Sequence, residues 1–182
     1  MTTYFYSDPH FGHARILELA KRPFTSIAEH DFALARRYEC KVASGDLVIW
    51  CGDVSFLGKR AEGIMRALPG HKVLCLGNHD ISAASMAKRG FDAVVDSLTM
   101  HIAGHPVVVS HYPYQGYVRE DGYDDVHRKH CYQPFVKGQA IIHGHTHSTV
   151  RVCGTAINVC VEAWDYGPVP ITEIETLINK MF

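Results

Sequence analysis

Five apolar, β-branched runs in this chain each stop on the same kind of residue. Thr3 to Ser7 runs into Asp8-Pro9-His10, Leu47 to Cys51 into Gly52-Asp53, and Val73 to Leu76 into Gly77-Asn78-His79-Asp80. Val107 to Ser110 runs into His111, and Ala140 to His143 into Gly144-His145-Thr146-His147. Short runs of this kind bounded by turn residues read as buried strands, and Ala93 to Val95 adds another. Helical patterns separate the first three. Ser26 with Glu29 forms an S-x-x-E capping box that predicts a helix to about Val42, and Lys59 to Leu68 ends at Pro69-Gly70. Strand and helix alternation implies an α/β fold with helices on the faces of a sheet. After about residue 90, Gly104 and Gly154 each sit between short strand-like runs as hairpin turns, which predicts a second half richer in antiparallel strands. Thr172 with Glu175 repeats the capping-box spacing and predicts a helix from about there to Lys180.

In open α/β sheets ligands gather outside the carboxyl ends of the strands, so the five stops should converge on one edge. The D-x-H and H-x-H spacings put two side chains on one side of an extended chain, as chelation requires. Nitrogen and oxygen donors without thiolates point to Mn, Fe or Zn, with Mn favoured. Histidine is also unusually frequent, 13 of 182 residues, and clustered imidazoles raise the prior for a metal or acid/base site. His30, His71, His101 and His105 fall outside these motifs and are expected on the surface, and His143 is expected to pack rather than ligate.

Composition closes off several classes. At 182 residues the chain is expected to be one domain, residues 1–182. A net charge of -1 disfavours long nucleic acid as a partner, and no apolar run approaches the ~18 residues of a membrane helix. The six cysteines show no C-x-x-C spacing and read as small core residues kept reduced in a cytoplasm, and the first residues lack the pattern of a signal peptide. Signatures of P-loop, H-E-x-x-H and G-x-S-x-G enzymes are absent.

In this order, D-x-H, G-D, G-N-H-D, H and G-H-x-H resemble the calcineurin-like metallophosphoesterases. Ser7 to His13, Arg22-Pro23-Phe24 and Trp164 to Val169 are similar to the small bacterial and bacteriophage members. Asp53 is followed by Val54-Ser55-Phe56, without the downstream Asp-Arg of the protein phosphatases, which makes phosphoprotein substrates less expected. The resemblance implies a four-layer α-β-β-α sandwich with mixed sheets and two divalent metal ions. One ion would sit on Asp8, His10, Asp53 and His147, the other on Asp53, Asn78, His111 and His145, with Asp53 bridging. It further implies hydrolysis of a small phosphate ester by a metal-bridging hydroxide, with His79 protonating the departing oxygen and Asp80 holding the His79 ring.

His13, Arg22 and Tyr112 are candidate substrate contacts. For Arg22 the alternative is a salt bridge at the surface. Trp164 and Tyr166 are expected to pack. The long irregular stretch from Tyr112 to Pro134 carries five of the nine tyrosines together with Arg119, His127, Arg128, Lys129 and His130, and is expected to select the substrate, a small phosphodiester or nucleotide. Alternatives are a phosphomonoesterase of the same fold, a non-catalytic scaffold that keeps the fold, and a nucleic-acid binding module with structural metal.

Overall fold

The computed structural model describes residues 1–55, 59–117 and 131–182, with only the backbone of residues 59 and 60. Tyr123, Arg119 and the basic group from His127 to His130 therefore lie outside the described residues. Within them the chain forms two five-stranded mixed sheets. In the first, β1 (Thr3–Tyr6), β2 (Leu47–Trp50), β3 (His71–Cys75) and β4 (Ala93–Val95) are parallel neighbours, and β10 (Val169–Pro170) joins β1 antiparallel. The second orders β5 (Ser97–Ile102), β6 (His105–Ser110), β7 (Ala140–His143), β9 (Ala156–Asn158) and β8 (Val152–Cys153).

The hairpins expected at Gly104 and Gly154 join β5 to β6 and β8 to β9, but the middle of this sheet, β6, β7 and β9, is parallel. The second half is thus richer in antiparallel pairs, two against one in the first sheet, while the links between its central strands are crossovers rather than tight turns. At the first hairpin Ala103 and Gly104 have φ of 51° and 82°, the positive pair that a two-residue turn with the strands' own twist requires.

Side-chain alternation along the strands sorts the core into layers. Phe5, Ile49 and Cys51 from the first sheet meet Val107, Val109, Ile142 and Ile157 from the second. On the opposite face of the first sheet, Tyr6, Val48, Trp50 and Leu74 pack with residues of α2 (Ile27–Glu39), α3 (Lys59–Ala67) and α4 (Ala83–Ala87), among them Leu34, Tyr38, Met65 and Met86. Tyr6 and Phe91 meet Trp50 edge-on, with ring centroids 4.8 and 5.6 Å away. Over the outer face of the second sheet, Tyr114 covers Ile141 and Ala156.

The α2 cap forms much as its spacing predicts, with Ser26 Oγ accepting the Glu29 amide at 3.2 Å, and the helix stops at Glu39, short of Val42. Glu29 itself reaches back to the Thr25 amide at 2.8 Å. The capping box expected at Thr172 is not used. The C-terminal helix α5 (Ile171–Met181) starts two residues earlier than a Thr172 cap would set it, directly out of β10 with Pro170 at its N-cap, so Thr172 lies inside the first turn where its hydroxyl cannot cap. Its Ile174 and Ile178 enter the core between the sheets. Leu34 is fully buried on α2, whereas Leu19 on the short α1 (Ile16–Leu19) is 64% exposed. Urea unfolding should therefore show Leu34→Ala losing about 2–5 kcal/mol while Leu19→Ala stays within about 0.5 kcal/mol of the parent.

Candidate metal centre

The carboxyl ends of β1, β2, β3, β6 and β7 bring the five sequence stops together. Two groups of donors result: Asp8, His10 and His147 form one, and Asp53, His111 and His145 the other, each with ligand atoms within 4.8 Å of one another. Asp53 lies between them, its Oδ2 3.6 Å from His10 Nε2 and also 3.6 Å from His111 Nε2. His147 Nε2 is 3.7 Å from Asp8 Oδ1, and His10 Nε2 is 3.9 Å from the same oxygen. Atoms that share a cation with bonds of about 2.0–2.2 Å stand roughly this far apart.

The backbone bends sharply to achieve this. Asp8, His10, Asp53, His145 and His147 all have φ between 48° and 68°, five of the nine non-glycine positive values among the described residues. Left-handed backbone at such residues is uncommon and persists where surroundings over-determine it. Here the surroundings are cross-links between strand ends. The Asp8 and His10 amides donate to the Gly52 and Asp53 carbonyls, and the Gly144 amide to the His111 carbonyl. Gly144 is glycine for a steric reason, since a Cβ there would overlap Ser7 Oγ and Asp8 Oδ2.

The polar atoms fit cations. Asp8 Oδ1 and His10 Nε2 are buried without a hydrogen-bond partner, which is costly unless a further group satisfies them. His111 Nδ1 donates to the Cys51 carbonyl at 2.8 Å, so the Nε2 of the neutral ring carries a lone pair, yet it faces the Asn78 side-chain oxygen at 3.0 Å. Two acceptors turned toward each other are what a shared cation would reconcile. Burial first, then the neighbouring His147 ring, pushes His10 well below its usual range and favours the neutral, ligating form.

The proposed acid/base residues divide. His79 is partly exposed, with Nε2 4.0 Å from Asp53 Oδ2, and its amide donates to Asp53 Oδ1 at 2.8 Å. Asp80 anchors the backbone on both sides of the site. Its carboxylate accepts the Asp53, Val54 and Gly77 amides at 2.9, 3.0 and 2.9 Å, pinning the two loops that carry Asp53 and Asn78. Burial and the nearby charge of Asp53 raise its pKa.

Among the candidate substrate contacts, the His13 ring lies 5.5 Å from His10 and 6.4 Å from His79. Tyr112 lies 4.8 Å from His111 and 5.1 Å from His145, with Tyr132 6.0 Å from His145. Arg22 is turned inward, and its ion pair is buried rather than on the surface. It is 4% exposed, and all five guanidinium N–H groups are engaged, by Glu162, Pro9 O, Asp8 O and His30 Nε2.

His30 likewise leaves the surface class. It is fully buried and bonded to Asp31 at 2.9 Å, because Arg22 draws it inward. His143 packs as expected, its buried ring 5.0 Å from Tyr117. Trp164 packs too, donating to the Asn158 carbonyl under Arg151, and Tyr166 meets Phe24 edge-on.

Glu162 was not among the expected site residues. It accepts the His147 Nδ1 proton at 2.8 Å, and although burial opposes its charge, His147 and Arg22 outweigh this and hold the carboxyl at about 2. The signal is of the same kind as the other five, a carboxylate ending the apolar run after β9.

Two mixed sheets thus carry two candidate metal-binding groups of nitrogen and oxygen donors at the carboxyl ends of their strands. The chain belongs to the calcineurin-like phosphoesterase superfamily, whose domain model matches residues 1–159. The gene 66 protein of Mycobacterium phage D29 is 31% identical, covering 98% of this chain and 96% of its own length. An uncharacterized protein of Methanocaldococcus jannaschii is 27% identical, covering 97% and 91%. A crystal structure of a protein of unknown function from Aquifex aeolicus superposes with a TM-score of 0.73 at 28% identity, covering 97% of this chain and 98% of that one.

No helix among the described residues is long and apolar enough to cross a membrane. Replacing Gly144 by alanine should force Ser7 and Asp8 apart, and divalent-metal content after dialysis should fall even where circular dichroism shows the fold retained.

Proposed function

We propose that this chain is a two-metal phosphoesterase acting on a small phosphodiester or nucleotide. The observation that carries the reading is Asp53 Oδ2, equidistant at 3.6 Å from an imidazole nitrogen of each triad. A carboxylate so placed can bridge two cations and offset their mutual repulsion. Two bound divalent ions ~3.5–4 Å apart would polarise the phosphoryl oxygens and make a water acidic enough to act as nucleophile. On this reading Asp8, His10 and His147 hold one ion, His111, His145 and Asn78 the other, and Asp53 both. A donor set of imidazole, carboxylate and amide favours Mn over thiolate-loving metals. The six cysteines are free, which accords with a reducing, cytoplasmic setting.

The chain's own groups supply the rest. His79, partly exposed and with Nε2 4.0 Å from Asp53 Oδ2, would hand a proton to the departing oxygen, with Asp80 anchoring the loop that carries it. Tyr112 and Tyr132, with ring centroids 6.1 Å apart beside His145, offer a wall against which a base could stack, worth ~1–3 kcal/mol per base. That wall favours a substrate that carries a base, nucleotide or nucleotide diester, over a simple alkyl phosphate ester.

A metal-reconstituted panel of phosphomonoesters, phosphodiesters and nucleotides tests the substrate class, and monoester preference would overturn the diester assignment. Asp53→Asn should lose both ions together in elemental analysis, and loss of only one would contradict the bridge. His79→Ala should keep its metal while turnover drops more for alkyl than for nitrophenyl esters, since only the alkoxide needs the proton. Tyr112→Ala should raise KM for a nucleotide diester more than for bis-nitrophenyl phosphate; equal changes would assign the ring to packing.

A further inference from the structure

Arg22 and Glu162 are separated by 140 residues, yet their side chains form a buried ion pair, with Arg22 Nη2 2.6 Å and Nε 3.0 Å from Glu162 Oε1. Both reach the same triad by different routes. Glu162 accepts the Nδ1 proton of His147 at 2.8 Å. An ionised carboxylate can only accept, so the ring proton of neutral His147 is fixed on Nδ1 and the lone pair on Nε2, the atom 3.7 Å from Asp8 Oδ1. Arg22 holds the other two members through the backbone, donating to the Asp8 carbonyl at 2.7 Å and the Pro9 carbonyl at 2.8 Å. These carbonyls lie in the segment where Asp8 and His10 have φ of 57° and 50°.

The fork is itself braced. Its remaining Nη1 proton goes to His30 Nε2 at 2.8 Å, and His30 Nδ1 contacts Asp31, whose carboxylate also accepts the Gly12 amide. The other triad is held differently: Cys51 O takes the His111 proton, and Asp80 pins the Asp53 loop.

We infer that Arg22 and Glu162 are positioning residues that set the metal affinity of the Asp8/His10/His147 triad selectively, leaving the Asp53/His111/His145 triad to its own backbone supports. The inference rests on the two-metal reading and assigns these residues no contact with substrate. A buried pair is a weak source of net stability, but breaking one leaves an uncompensated charge, so its visible product is geometry rather than affinity for folding. Loss of a carboxylate that orients a ligating histidine costs about 10–100-fold in metal affinity.

The test uses the full chain, stripped and titrated with Mn²⁺ by equilibrium dialysis. Glu162→Gln keeps the size and an acceptor oxygen but removes the charge, and Arg22→Lys keeps the charge but removes the fork. The parent should bind two ions. Each variant should keep one at parental affinity and bind the other about 10–100-fold more weakly, with the anomalous peak of the retained ion at Asp53, His111 and His145.

Equal weakening of both ions, or of neither, overturns the inference while leaving the two-metal reading intact. A parent that binds one ion or none overturns both. Should either variant fail to fold, long-range proton–nitrogen correlations on the metal-free parent decide the matter. Above the pH at which the ring loses its charge, His147 must carry its remaining proton on Nδ1, and a neutral ring protonated on Nε2 removes the role given to Glu162.

Discussion

The constraint on which the rest depends is the left-handed turn taken by the backbone where the strands end. A strand delivers alternate side chains to opposite faces, so a straight exit would send Asp8 and His10, or His145 and His147, along the sheet rather than across its edge. Positive φ at those residues and at Asp53 swings the carboxylates and rings inward from both sheets. Each such residue costs of order 1–3 kcal/mol. The compensation is local and identifiable in hydrogen bonds between one strand end and the next: Asp8 to Gly52, His10 to Asp53, Gly144 to His111, and Asp80 to three amides. The parallel centres of the two sheets matter for this reason, since they place consecutive ends side by side.

Much of that arrangement was legible in the chain. Apolar runs ending in Asp, Asn or His located the site edge because burial and chemistry each leave a sequence signal, and the signals abut. Less legible were features that depend on partners distant in sequence. Arg22 reads as a surface cation because nothing near it announces Glu162, and His30 reads as a surface histidine because its acceptor role exists only once Arg22 is buried beside it. Asp80 reads as a companion of His79 by adjacency, whereas the fold gives its oxygens to amides of two loops. Thr172 had the spacing of a cap, but β10 runs straight into the helix and starts it two residues early.

The two triads are alike in donor type and unlike in support. His111 hands its Nδ1 proton to a main-chain carbonyl, a neutral acceptor that the fold supplies for free in a strand end. His147 hands its proton to a carboxylate that needs its own counter-charge, and that counter-charge needs His30 and Asp31 behind it. A carboxylate acceptor makes the imidazole a better donor to a cation than a carbonyl does. The same dependence makes the first triad the more vulnerable to substitution, since three separate segments of chain must be correctly packed before His147 is oriented.

Neither donor group among the described residues includes a cysteine. Cys160 lies close enough to compete, with Sγ 3.3 Å from Asp8 Oδ2. Burial pushes its thiol well above the usual range, the Asp8 carboxylate adds to the push, and the sulfur serves Asp8 as a weak donor. Asp8 Oδ2 also accepts Ser7 Oγ and the His145 amide, which leaves Oδ1 as the oxygen without a partner, on the side of His10 and His147. The buried neighbours thus do more than fill space. By saturating one carboxylate oxygen they decide which oxygen of Asp8 is left to face His10 and His147.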